Sequence, residues 1–213
     1  GSLRTNDLEA LLKDSDEIIR ITALRLLEPF VEQNNQQTMG PVALALERFA
    51  RGTAPEMLQA ALSAAALPGP ARLPVLGAIL KRADTSAVLR DAVMSSAGGI
   101  ELALLESLLE DPQYKTPAPA REIVVEMLTA AVIKERNPQR VAALLAMIDP
   151  QMSWPGRSIV TAVATQGSTA RRDPIVLTRE PLIFRTAQPR DGESGDNAMA
   201  IRQLASIKNC FRW

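Results

Sequence analysis

The chain has no histidine among its 213 residues, a single cysteine, and only 3% aromatic residues. Each absence excludes something. Without histidine the commonest general base and the commonest metal ligand are gone. So is any c-type haem attachment inside this chain, since that motif needs Cys-x-x-Cys-His. The lone Cys210 cannot close an internal disulfide, and its state says nothing about compartment. Excess charge is missing too: 24 basic residues balance 24 acidic ones. A neutral chain carries no global attraction for nucleic acid or an acidic membrane surface. No apolar run approaches the roughly 20 residues a membrane helix needs. Gly1-Ser2 reads as a cloning scar rather than a native start, with no signal peptide after it.

Hydrophobic residues make up 46% of the chain, enough to bury a core as one domain or one elongated array. With few rings to fill it, that core must be built from Ala, Leu, Ile and Val. Ala and Leu favour helix.

The opening stretch "LLKDSDEIIRITALRLL" (Leu11 to Leu27) sets the pattern. Leu8, Leu11 and Leu12 recur along one helical face, and Ile19, Ala23, Leu26, Leu27 and Phe30 along a second. Between them Asp14 is expected to cap the second helix, with Glu17 three residues on as a capping box. The carboxylates of Asp14, Asp16 and Glu17 suit the positive end of that helix. Pro29 falls near the helix end, where it costs least.

The arrangement returns in "AILKRADTSAVLRDAVMSSAGG" (Ala78 to Gly99). Leu76, Ile79 and Leu80 mark one helix, and Asp84, Thr85 and Ser86 the turn and cap. Leu89, Ala92, Val93 and Ala97 mark the next helix, which Gly98-Gly99 can end. Arg90 lies 70 positions after Arg20, two steps of about 35 residues and within the range of helical repeats. Arg20 and Arg90 are read as structural repeat positions, each reaching an acidic turn of the neighbouring repeat.

Between these copies "PVALALERFA" and "PEMLQAALSAAAL" read as helices without a clear turn signature. "GIELALLESLLED" is a further amphipathic helix, and "PQYKTPAPA" a loop. Arg121 to Ile148 is expected to form a helix pair turning at Asn137-Pro138, with proline well placed in the first turn. Arg157 to Gln166 forms one more helix, ended by Gly167. "DPIVLTREPLIF" is an extended segment or loop, "QPRDGESGDN" a polar loop, and Ala198 to Phe211 a closing helix. The expected fold class is all-α, an α-solenoid of antiparallel helix pairs. Residues 3–152 would form the array, and 153–213 a C-terminal extension packed on it.

Catalytic motifs are missing. Asp14, Asp16 and Glu17 could be a carboxylate cluster for a metal or acid–base work, but a cap on a solvated turn explains them better. Gly156-Arg157-Ser158-Ile159-Val160 lacks the second glycine of a nucleophile elbow, and no histidine exists to activate the serine. Neither a Gly-x-Gly-x-x-Gly fingerprint nor a P-loop is present. Arg171-Arg172, with Arg179 and Lys208, could form a small basic patch. The shortage of aromatics disfavours single-stranded nucleic acid. Trp154, like Trp213, is read first as the plug of a repeat end and second as a contact on a partner-facing surface. Arg157 is placed beside Trp154 as a possible partner contact. The reading carries no catalytic, metal-binding or cofactor-binding residue and no cofactor.

"LLKDSDEIIRITALRLL" and "LRDAVMSSAGG" resemble HEAT-type α-helical repeats, on an Asp in the turn, then apolar-Arg, then Ala or Val. The match covers Asp7 to Phe30 and Leu73 to Gly99. "VEMLTAAVIKERNPQRVAALLAMI", "WPGRSIVTAVATQG" and "PIVLTREP" add a narrower likeness. They resemble the HEAT region of large planctomycete and verrucomicrobial exported proteins. That resemblance implies an exported parent with a sugar-dehydrogenase-like propeller and a c-type cytochrome domain outside this chain. It transfers no catalytic or haem-binding residue. The repeats, the missing histidine and the neutral charge are read as a non-catalytic scaffold contacting a protein partner or neighbouring domains of the parent chain. The alternative is a docking segment of a redox protein.

Overall fold

A computed structural model describes residues 5–32, 36–82, 86–170, 173–186 and 195–213. Among the described residues the chain is all-α apart from one two-residue strand pair. Its Cα packing separates two compact units, Gly1–Leu104 and Leu105–Trp213. Among the described residues no helix is long and apolar enough to cross a membrane.

The first unit holds α1 (Thr5–Leu11), α2 (Glu17–Glu32), α3 (Gln36–Phe49), α4 (Ala54–Ser63), α5 (Gly69–Arg82) and α6 (Ala87–Ser96). The helix α7 (Glu101–Glu110) runs across the division. Packing follows chain order. Each of α1 to α5 touches the next helix, and α1–α3–α5 and α2–α4–α6 form two rows. Helices this short are marginal alone, so their stability comes from the faces buried between rows. Leu24, Leu27, Leu46, Phe49, Leu76 and Ile79 are fully buried there.

The start of α2 departs from expectation. Its cap is Asp16, not Asp14: the Asp16 carboxylate accepts from the backbone N–H of Ile18 at 2.7 Å and Ile19 at 3.4 Å. Asp14 instead closes the preceding turn, accepting from the Asp16 N–H at 2.8 Å. The buried stripe of α2 is also rotated. Ala23, Leu24, Leu27 and Val31 are inside, whereas Ile19 and Leu26 are 39% and 46% exposed. Its packing against α1, α3 and α4 chooses the buried arc.

The second unit is built on α8 (Pro119–Glu135), α9 (Pro138–Ala146), α10 (Trp154–Ala170), the single-turn α11 (Ile183–Thr186) and α12 (Asp196–Ile207). α8 packs against α9 and α10, and α10 against α12. The α8–α9 turn falls where Asn137-Pro138 places it. Arg136 ends α8 in the left-handed region at φ 56°, and the Asn137 side chain accepts from the N–H groups of Gln139 and Arg140. Two expectations fail here. Gly167 does not stop α10, which continues to Ala170, and α12 ends at Ile207 rather than running to Phe211. Phe211–Arg212 is extended and pairs in parallel with Ile175–Val176, so the "DPIVL" stretch contributes a short strand. Phe184 fills the space beside this pair, with ring centroids 5.8 Å from Phe211 and 5.9 Å from Trp213. Most of "QPRDGESGDN" lies outside the described residues.

Candidate functional site

Two of the residues singled out in the opening stretch, Asp14 and Arg20, line one charged recess in the first unit, of about 720 Å³, together with Arg48, Gly52 and Glu56 among others. Arg20 lies in the first turn of α2. Its Nη1 donates to the carbonyls of Asp14 and Ser15 at 2.8 and 2.9 Å, tying the helix to its own entry turn. Its Nε and Nη2 both donate to Oε1 of Glu56, at 2.9 and 2.7 Å. The carboxylate it finds is therefore in the first turn of α4, not in the acidic turn of a neighbouring repeat.

Glu56 is 7% exposed and reaches back to its own helix start. The Thr53 hydroxyl accepts from the Glu56 N–H, and the Glu56 carboxylate accepts from the Thr53 N–H at 3.0 Å, a complete capping box. Thr53 also donates to Glu17 of α2. Gly52 makes the fold-back possible: a Cβ there would sit 2.0 Å from Oε2 of Glu56. Sequence reading missed this centre, although Gly52-Thr53-Ala54-Pro55-Glu56 carries the signal: a Thr-x-x-Glu box with proline in the first turn.

Burial pushes the Glu56 carboxyl up, but the Thr53 N–H and the Arg20 guanidinium, helped by the charge of Arg48, hold it below the ordinary carboxylate range. A lowered acid contributes stability that is present above its unfolded-state value and is lost as pH falls through the folded value. Unfolding free energy is accordingly expected to drop as pH falls below about 4.3, the free glutamate value, and Glu56→Gln should flatten part of that drop. Urea melts of both proteins between neutral and acidic pH check this. Equal acid slopes would show that Glu56 is not linked to folding. Glu126 on α8 shifts the other way, raised by burial and by Glu122 one turn earlier.

The bond joining Arg20 to Glu56 spans 36 residues, and the separation recurs nearby. Thr53 and Glu17 are 36 apart, Ser63 and Glu28 35, Arg48 and the Leu12 carbonyl 36, Ser96 and the Leu62 carbonyl 34. Arg90 occupies the matching first turn of α6, only 9% exposed. Asp84, in the turn expected before α6, lies outside the described residues.

In the second unit Trp154 opens α10 and is 8% exposed, its ring 6.5 Å from that of Tyr114. That burial leaves the ring to the interior of this unit. Arg157, half-buried, donates from Nη1 to the carbonyl of Met152 at 2.9 Å, closing the loop before α10. Lys208 pairs with Glu180 at 2.9 Å, and Arg171 and Arg172 lie outside the described residues. Among the described residues no group of three or more Cys, Asp or Glu side chains converges in a way that could hold a metal ion. What the Arg20 centre can do chemically is bind two helix pairs together. Its carboxylate already accepts from Arg20 and Thr53, which leaves it poorly placed to take a substrate proton. Comparison with protein-family models, with curated proteins and with solved structures finds no match for this chain.

Proposed function

We propose that this chain is a HEAT-like repeat scaffold: a non-catalytic α-solenoid segment that docks a protein partner or a neighbouring domain of its parent chain. One observation carries the reading. Leu26 on α2 and Leu62 on α4 are both exposed large hydrophobics, 36 positions apart on adjacent helices of one row. That is the step of the Arg20–Glu56 bond. The apolar surface thus repeats in register with the bonds that stack the pairs, as expected of a contact face on a solenoid. Ile18 on α2 and Val88 on α6 add to the same row, at 73% and 64% exposure. Large apolar side chains left in water in a repeated order mark a surface for another protein. This extended face, rather than the Arg20 centre, is where a partner would sit.

The test is retention of partners from the native source on the immobilised chain. Leu26→Glu with Leu62→Glu should abolish retention of the partner held by the wild type. The melting temperature should move by only a few degrees, since exposed helix positions tolerate glutamate within about 0.5 kcal/mol each. Unchanged retention by the double variant would refute docking on this face.

A further inference from the structure

The second unit carries a groove of about 760 Å³ between the C-terminal half of α9 with its following turn and the stretch from Arg179 to Thr186. Its volume lies within the range of small-molecule sites. The walls are aliphatic: Ala143, Ala146, Leu145, Ile148, Pro181 and Leu182 line it. Leu182 is 70% exposed there.

The charged groups at the groove differ in what they already hold. Asp149 accepts from the N–H groups of Gln151 and Ser153, at 2.9 and 3.1 Å, and from the Ser153 hydroxyl. Glu180 is bridged by Arg185 at 2.8 Å and Lys208 at 2.9 Å, and the two cations hold its carboxyl below the ordinary range. Both carboxylates and Arg185 are therefore committed. Arg179 is exposed and has no hydrogen-bond or ion-pair partner among the described residues. Among the described residues the groove thus offers one uncommitted guanidinium beside an aliphatic wall. A guanidinium fork matches a carboxylate in two parallel bonds. An aliphatic tail needs only apolar area from these walls. A peptide would bring amide groups that the alanine and leucine side chains cannot satisfy.

We propose that this groove binds an aliphatic monocarboxylate, its head on Arg179 and its tail along Ala143, Ala146 and Leu182. The experiment titrates the full chain with decanoate, kept below its micelle concentration, by calorimetry and by amide NMR shifts. Saturable one-to-one binding is expected, with shifts centred on residues 142–150 and 179–186. Arg179→Gln should weaken it on the order of fivefold, as expected for an exposed ion pair. Arg179→Lys should weaken it less than Arg179→Gln, since lysine keeps the charge but not the two-bond fork, and Ala146→Gln should weaken it through the wall. Decylamine, with the same tail and the opposite charge, should bind more weakly than decanoate. Both substituted positions are exposed, so circular dichroism should be unchanged. Equal affinity of wild type and Arg179→Gln, equal affinity for decylamine, or shifts centred elsewhere would overturn the proposal.

Discussion

Arg20→Ala is expected to destabilise the chain by about 2–3 kcal/mol, far more than the usual cost of losing a helix-surface arginine. The side chains of Arg20 and Glu56 are 18% and 9% exposed, so this is not a solvated pair. Removing the arginine leaves a buried carboxylate with the Thr53 cap alone, and two carbonyls of the entry turn lose a donor. Breaking one side of a fully buried pair costs about 3–5 kcal/mol. The partial exposure of Arg20 and the surviving Thr53 bond bring the figure down. Glu56→Gln should cost less, because a neutral amide needs no counter-charge. The double variant should cost less than the sum of the two, by about 1–2 kcal/mol of coupling. Urea unfolding of the four proteins at neutral pH decides it. A loss below about 0.5 kcal/mol for Arg20→Ala, the scale of an ordinary surface change, would mean the arginine does not hold the two helix pairs together.

Trp154→Ala should produce the other large effect, a loss of about 3–5 kcal/mol from the cavity left by a buried ring. Part of that, about 0.5–1.5 kcal/mol, is the aromatic pairing with Tyr114 beyond area burial. Trp154→Phe should recover most of the stability by restoring volume and ring contact. This variant separates two roles for the residue. A partner-contact tryptophan would leave the melting temperature near wild type when truncated and would abolish partner retention instead. Burial at 8% exposure points to the stability loss, whereas Trp213, at 46%, is the ring still presented to solvent. Thermal melts of Trp154→Ala and Trp213→Ala, run side by side, should differ by many degrees.

Some of this was legible in advance because it depends on neighbours along the chain. The α8–α9 turn at Asn137-Pro138 needs only a capping amide and a proline whose missing N–H is no loss. Helix α6 needed only its serine cap, its apolar spacing and Gly98-Gly99 after it. Gly99 indeed adopts φ 83°, a conformation open to glycine. The capping error was local as well. Asp14 and Asp16 both suit the turn before α2, and pattern alone prefers Asp14 because Glu17 follows three residues later. The observed helix starts at Glu17, so its cap is Asp16 and the box pattern is not used.

Other features could not be read from neighbours. The partner of Arg20 is 36 residues away, and nothing around Arg20 distinguishes Glu56 from the many other acidic side chains. The Thr53 box was readable as a cap, but its contact with Arg20 depended on how α4 lies against α2. The strand pair joins Ile175–Val176 to Phe211–Arg212 across more than thirty residues, and two residues are too few for a β pattern to register. Gly167 ends many helices, yet α10 passes through it to Ala170 at a propensity cost of about 1 kcal/mol.

By itself the sequence determined that the chain is helical, that its core is aliphatic, and where most helices begin. These follow from spacing, caps and the shortage of rings, all of which act over one or two turns. Tertiary structure alone decided which arc of α2 is buried and which carboxylate receives Arg20. Each of those is a choice among chemically equivalent groups. Only the packing of distant helices, by desolvating one candidate and leaving the others in water, makes them different.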